Sequence, residues 1–399
     1  MGWLVEGHPM YILSMVAVTS LLLFLSFANP SQTASQHPQE TFEQLAKQAD
    51  EARTSNHLNG AIQLYSLGVH MRPAWSEGWW WLGSLLYDQD RFPEAQAAFA
   101  RFVKLSTRPG PAYAFLALCE YENREYDSAL QHFQAWSKNG SPGSDALLDV
   151  AGFHWALLLT RKGQFQQALY LLAAKARKLG AAPALVEALG LPSLRMANLP
   201  EDYPSDKREA IWLAGMAAYF SVQDEFRRSN EYAQRLVVRY GQAPNVHYLR
   251  GTLLRFQGDW RAAAQEFEKE LQISPTHAPA LVELAMLSLD ASQAADALTP
   301  AKRAVVLDPN NAKAHYALGR ALLETGSYQE SANELEIAKR LSPDSARVRF
   351  VLSSAYRHLG RLGDSNREQA AFEALQGKEE VLAPLDEKLK SGPKPDAPQ

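Results

Sequence analysis

The chain is poor in cysteine: Cys119 is the only one in 399 residues. It therefore has no internal disulfide, cannot build a zinc site on thiolates and offers no cysteine near its start for lipid attachment. An excess of positive charge is missing too. Lys and Arg number 40 against 44 Asp and Glu, and the net charge is −4, so the dense cationic footprint that phosphate backbones demand is lacking. No nucleic-acid partner is expected. Catalytic spacings are absent as well: no nucleophile elbow, phosphate-binding glycine loop, dinucleotide fingerprint or HExxH pair occurs. The ten histidines show no clustered ligand spacing, and His132, His154 and His247 read as ordinary surface or core residues. These absences point to a chain that is not an enzyme and that uses no metal, cofactor or small-molecule substrate. Cys119, among Leu116, Leu118 and Tyr121, reads as a packed small hydrophobe.

Long uncharged runs are also scarce, with one exception. Residues 10–28, MYILSMVAVTSLLLFLSFA, carry no charge over 19 positions. At ~1.5 Å per residue such a helix would be about 28 Å long, close to the ~30 Å apolar core of a bilayer. Two readings stay open: a membrane anchor that spans, or a secretory signal peptide in which Ser26 and Ala28 are the small residues before cleavage. Either makes the chain membrane-anchored or exported. Orientation is not set, because Glu6 is the only charged side chain upstream and the first basic residue downstream is Lys47. Met-Gly is no myristoylation signal, since Glu6 stands where Ser or Thr is required. Residues 29–41 form a polar linker.

What the chain does have is apolar residues, 46% of the total, arranged with a period of 34. Pro275, Pro309 and Pro343 recur at that interval, each preceded 24 positions earlier by a small residue: Gly251, Ala285 and Gly319. Five units share this frame, beginning at 210, 244, 278, 312 and 346. A second frame begins at 42, 76 and 110, and a ninth unit near 149 is displaced by five residues. Within each unit, apolar positions spaced by three and four residues on both sides of a short turn predict two amphipathic helices of roughly 14 residues. Small residues such as Gly83 and Ala95 let the pair approach closely while Phe99 and Trp79 fill the space beside them. Gly258, Gly326 and Gly360 serve the turns, and the recurrent prolines end the second helices. One pair cannot hide its apolar surface, so neighbours must stack.

The pattern carried by Trp79, Leu82, Gly83, Ala95 and Phe99 resembles the tetratricopeptide repeat, over about residues 42–372. The resemblance implies an all-α protein, a right-handed α-solenoid of about nine helix-turn-helix repeats preceded here by the N-terminal hydrophobic helix. Its first helices would line a concave groove that binds a peptide or protein surface. Similar exported repeat proteins of bacteria assist assembly of envelope or secretion machinery, which makes a cell-envelope or periplasmic location the expectation. A scaffold subunit in an oligomer, using the convex face and tail, is the alternative. Ser229, Ser331 and Ser365 replace the usual alanine and Ala233, Ala301 and Gln369 the usual aromatic, so those units are expected to pack less firmly.

Two arrays result, 42–178 and 210–372. Between them lies a 179–209 insertion containing Pro183, Pro192, Pro200 and Pro204, read as a linker or as a loop that touches the partner. Residues 373–399 read as a capping helix and a disordered tail. The groove face falls at positions 2, 5, 9 and 12 of each first helix. These positions present Glu43, Asp50, Glu77, Trp80, Tyr87, Leu118 and Tyr121, then Phe153 and Leu157, and finally Tyr248, Arg255, Lys313, Tyr316, Arg320, Arg347, Phe350 and Arg357. The face thus changes from acidic and aromatic to basic and aromatic, and the basic end is expected to receive an acidic segment of a partner. A lysine-and-asparagine carboxylate clamp of the chaperone-binding type is not transferred, because only Lys313 and arginines occupy the groove.

Overall fold

The computed structural model describes residues 41–390, with side chains through residue 376. The candidate membrane segment, all but the last residue of the linker, and residues 391–399 lie outside the described residues. Within them no helix is long and apolar enough to cross a membrane.

Every regular element among the described residues is helical. The first four pairs are α1 (Phe42–Thr54) with α2 (Leu58–Met71), α3 (Ser76–Tyr87) with α4 (Phe92–Leu105), α5 (Ala112–Glu122) with α6 (Tyr126–Lys138), and α7 (Asp145–Arg161) with α8 (Phe165–Leu179). A single helix, α9 (Pro183–Ser193), follows. Five more pairs are α10 (Ser205–Val222) with α11 (Phe226–Tyr240), α12 (Val246–Phe256) with α13 (Trp260–Ile273), α14 (Ala278–Asp290) with α15 (Ala294–Leu307), α16 (Ala312–Glu324) with α17 (Tyr328–Leu341), and α18 (Ala346–His358) with α19 (Leu362–Lys390). Each helix packs chiefly on its neighbours in the chain, so the core is a row of linked apolar clusters.

The period is written into the turns. The residues that close the first helices with a left-handed backbone are Asn56, Asp90 and Arg124, then Gly163, then Asp224, Gly258, Ser292, Gly326 and Gly360. After each, an amide reaches back five residues to a helix carbonyl, as Ser327 N does to Leu322 O at 2.8 Å and Arg361 N to Tyr356 O at 2.9 Å. This backbone turn satisfies carbonyls that would otherwise be orphaned. At the start of the array Thr41 and Gln44 close a capping box on α1, and Ser144, Asn311 and Ser345 cap α7, α16 and α18. Pro275, Pro309 and Pro343 each stand two residues past the end of a second helix.

Between paired helices, a missing side chain faces a large one. A Cβ on Gly83 would lie 2.9 Å from the ring of Phe99, one on Gly251 2.7 Å from Phe267, and one on Gly319 2.6 Å from Leu335. The serines in place of alanine do not leave loose contacts. Ser229, Ser331 and Ser365 are buried and donate to the carbonyls of Ala217, Gly319 and Ser353 at 2.8, 2.7 and 2.8 Å. Each hydroxyl finds its acceptor on the facing helix, so the polar group is satisfied where it is buried.

The 179–209 insertion is not a surface linker. Eight of the eleven residues of α9 are buried, shared among clusters that include α7 and α8 on one side and α10 to α12 on the other. Its prolines delimit elements: Pro183 opens α9, Pro192 falls near its end, Pro200 begins a short 3₁₀ turn (Pro200–Asp202) and Pro204 precedes α10. The backbones of α9 and α10 touch, because a Cβ on Gly190 would lie 2.0 Å from Ile211 O and one on Gly215 1.9 Å from Val186 O. At the far end, α19 runs on through Lys390 as one helix, so the expected capping helix is a continuation of the last repeat.

Candidate functional site

The predicted groove residues fall into three environments. Trp80 is half-buried in a seam of rings, 5.7 Å from Phe99, 5.4 Å from Phe102 and 5.7 Å from Phe115, and Tyr87 meets Phe115 at 5.3 Å. Burial raises the Tyr87 phenol above its ordinary range. These two side chains hold α3, α4 and α5 together. Leu118 and Leu157 are core residues, and Asp50 is committed to Tyr65 at 2.7 Å and to Arg53 at 2.9 Å.

Tyr121 and Phe153 are occupied by the chain itself. Tyr121 lies edge-on to His154 at 4.6 Å and packs, with Tyr126 and Phe153, against a cluster that contains Leu199 from the segment after α9. Burial raises the Tyr121 phenol, and the nearby Glu201 carboxylate raises it further. Residues 199–202 therefore lie beside Tyr121.

At the basic end, several cations already have carboxylate partners. Lys313 Nζ donates to Glu283 Oε1 at 2.6 Å, and Arg255 Nε stands 3.1 Å from Glu283 Oε2, off the line of a hydrogen bond. Arg320 donates to Asp290 at 3.0 Å, Glu324 at 2.8 Å and the Leu289 carbonyl at 3.2 Å. Tyr316 is half-buried against the last two repeats. Arg347 and Arg357 are exposed, and Phe350 is half exposed beside Phe372 at 5.2 Å. Lys313 and Arg320 are thus partly neutralised by acids from the preceding repeat, and Arg255 by one from the following repeat.

Three predicted residues meet in one place. Tyr248 of α12, Arg255 at the end of α12 and Lys313 of α16 line a pair of adjoining cavities of about 280 and 300 Å³. The opposite wall comes from far away in sequence: Phe165 and Gln166 at the start of α8, and Arg195 just past α9. The Arg195 guanidinium lies over the Phe165 ring at 4.8 Å and near Tyr248 at 5.7 Å. Glu283 borders both chambers: one is mixed in character, with Asn311 and Lys313 beside Pro279 and Val282, and the other is mainly apolar, with Leu169, Leu189 and Leu253. Beside it, burial lowers the His277 pKa, Glu270 opposes that shift and the Arg195 charge adds to it, with a net downward direction. Sequence reading missed Phe165, Arg195 and Glu283. Arg195 sat in the insertion flagged for a partner contact, and Glu283 is one place beyond the groove register.

Among the described residues no group of three or more His, Cys, Asp or Glu is placed to hold a metal ion. Cys119 is fully buried and its thiol is pushed up to about 12, chiefly by burial and then by Glu120.

Helical hairpins stacked in chain order define a helical-repeat protein. The tetratricopeptide repeat family matches residues 46–106, 81–144, 216–278 and 282–346, more than half of the chain, and the chain belongs to that family. The solved structures it resembles include MamA from Desulfovibrio magneticus RS-1, residues 41 to the end, at 19% identity and a TM-score of 0.39, covering 43% of this chain and 97% of that one. Another is YrrB, described as a TPR protein with an unusual peptide-binding site, at 18% identity and a TM-score of 0.37, covering 46% of this chain and 94% of that one. No curated protein matches in sequence.

Proposed function

We propose that the chain is a non-catalytic interaction module that holds a partner protein or peptide on its concave face. The observation that carries the reading is the double cavity, where Tyr248, Arg255 and Lys313, drawn from two repeats, face Phe165 and Arg195 across the junction of the two arrays. Exposed or half-exposed groove side chains, Phe350, Arg347 and Arg357, extend that surface toward the C-terminal end. Residues 10–28, as anchor or cleaved signal, deliver the array to or across a membrane, where it assists assembly of an envelope or secretion complex. The test is crosslinked capture from membrane and soluble fractions with mass spectrometry, comparing the native chain, Tyr248→Ala, the pair Phe350→Ala with Arg357→Glu, and a deletion of residues 1–28. Partners are expected to be lost from the groove variants, and the shortened chain is expected to leave the membrane fraction. An unchanged partner set in both groove variants refutes the groove; unchanged fractionation refutes the targeting.

One observation favours the scaffold alternative. Large exposed apolar residues gather on second helices: Val238 is 75% exposed, Val306 80% and Tyr170 66%. Such residues suit self-association through the convex side. Light scattering on the purified chain decides, since a stable oligomer without partner, broken by Val238→Glu and Val306→Glu, supports that reading.

A further inference from the structure

We propose that the junction cavity is a binding site for an acidic peptide segment, with one carboxylate on Arg195 and a neighbouring aliphatic side chain in the apolar chamber. This rests on the concave-face reading and assigns its partner chemistry to a residue outside the repeats. Arg195 follows α9 in a left-handed backbone conformation, φ 53°, which turns its side chain away from the course of the helix. It stands between two rings and has no carboxylate partner among the described residues, unlike Arg255, Lys313 and Arg320. The cavity walls carry four cations, Arg177, Arg195, Arg255 and Lys313, against one acid, Glu283. Glu283 is buried and neutralises the Arg255 and Lys313 side. A second carboxylate is repelled there and directed to the Arg195 fork, whose planar donors match it in a bidentate pair. Partial burial between rings strengthens that pair relative to one in open water.

The neighbouring chamber of about 300 Å³, walled by Leu169, Leu189, Val222 and Leu253, takes an apolar side chain of the same segment. A neutral or basic peptide would leave Arg195 without an anion. The ligand thus carries an apolar and an acidic side chain close together.

The experiment uses three sets of fluorescein-labelled 12-residue peptides: one with Leu followed by Asp or Glu, one with Asn or Gln in place of the acids, and one with Lys. Anisotropy on the full chain is expected to show the acidic set binding at least about tenfold tighter than the amide set, with the advantage shrinking in high salt. Arg195→Glu and the milder Arg195→Gln remove that preference, while Arg261→Glu on exposed α13 leaves it, and thermal melts verify that each variant is folded. Equal binding of acidic and amide peptides, an intact preference in both Arg195 variants, or no binding of any set overturns the site. Loss of partner capture in Tyr248→Ala with no effect of Arg195→Glu would keep the groove and sink this assignment alone.

Discussion

Gly215→Ala tests whether α9 is an integral part of the array. Alanine is the better helix former by about 1 kcal/mol, so in an open helix the change stabilises. At Gly215 the new methyl would sit 1.9 Å from the Val186 carbonyl oxygen, 2.8 Å from its carbonyl carbon and 3.0 Å from its Cγ1. Carbon atoms sit comfortably at ~3.5–4.0 Å, so the helices must part by more than roughly 1 Å. The obstacle is main chain and cannot rotate aside. Overpacking costs about 1–3 kcal/mol, more where backbone is displaced. Separation would also open contacts around Val186, Leu189 and Ala214, all fully buried. With main chain displaced the gross cost falls at or above the top of that range, about 3–4 kcal/mol, and the expected net result after the helix-propensity gain is a loss of about 2–3 kcal/mol. Gly60→Ala is the control, since nothing lies within 4 Å of its added methyl, and it should gain about 0.5–1 kcal/mol. Urea unfolding followed by circular dichroism gives the totals. Hydrogen exchange on α9 and α10 peptides gives the local effect, needed because repeat arrays do not always unfold in one step. If both substitutions stabilise, or protection in α9 and α10 is unchanged, the backbone contact does not exist.

Asp224, in a left-handed turn with φ 58°, should accept glycine with a gain of about 1 kcal/mol, read as a higher urea midpoint; a lower midpoint would mean the aspartate side chain holds the turn. Ser331→Ala removes a buried hydrogen bond of 2.7 Å and should cost about 0.5–1.5 kcal/mol; equal or greater stability would restore the expectation that serine weakens this unit. For Glu266, burial alone would raise the pKa, but hydrogen bonds from His247 at 2.5 Å and Lys269 at 2.9 Å outweigh it and the net shift is downward. A carboxylate with a depressed folded pKa stabilises above its unfolded value of roughly 4.3 and loses that contribution as pH falls through the folded value. Stability of the native chain should therefore drop more steeply below about pH 4.5 than that of Glu266→Gln, and superimposable profiles would remove the linkage. Cys119 should resist iodoacetamide at pH 8 until denaturant is added, and rapid labelling of the native chain would show that the third repeat opens.

The repeat frame was legible because its determinants are local. Gly83 with Phe99, Gly251 with Phe267 and the terminal prolines each act within one unit, so a fixed spacing exposes them. The step of five residues before Gly163 and the longer step before Asp224 reappear in the left-handed turns for the same reason. Helix α9 was hidden for the opposite reason. Buried on nearly every side, it shows no apolar stripe with a polar back, and its flanking prolines resemble those of a loop. The state of the groove cations was equally unreadable. Lys313 and Arg320 reach acids 30 residues earlier, Glu283 and Asp290, and only the pitch of the stack brings those positions together. Arg195 meets Tyr248 through the turn of the whole array, and no spacing within a repeat encodes that.

The junction also constrains how the concave face can work. A stack of hairpins interrupted by an unpaired segment would leave the end of α8 and the start of α10 wet. An apolar helix with contacts to both removes that exposure, and Gln223 adds a hydrogen bond of 2.8 Å back to the Ala176 carbonyl. The chain leaving α9 must then return to begin α10. It does so with Leu199 buried beside Tyr121 and Phe153, and with Glu201 and Asp202 near the phenols of Tyr121 and Tyr126. The segment that seals the core thereby also packs with the aromatic side chains Tyr121, Tyr126 and Phe153, while Arg195 lines the junction cavity. Stability of the junction and shape of the cavity depend on the same residues, so neither can change without the other.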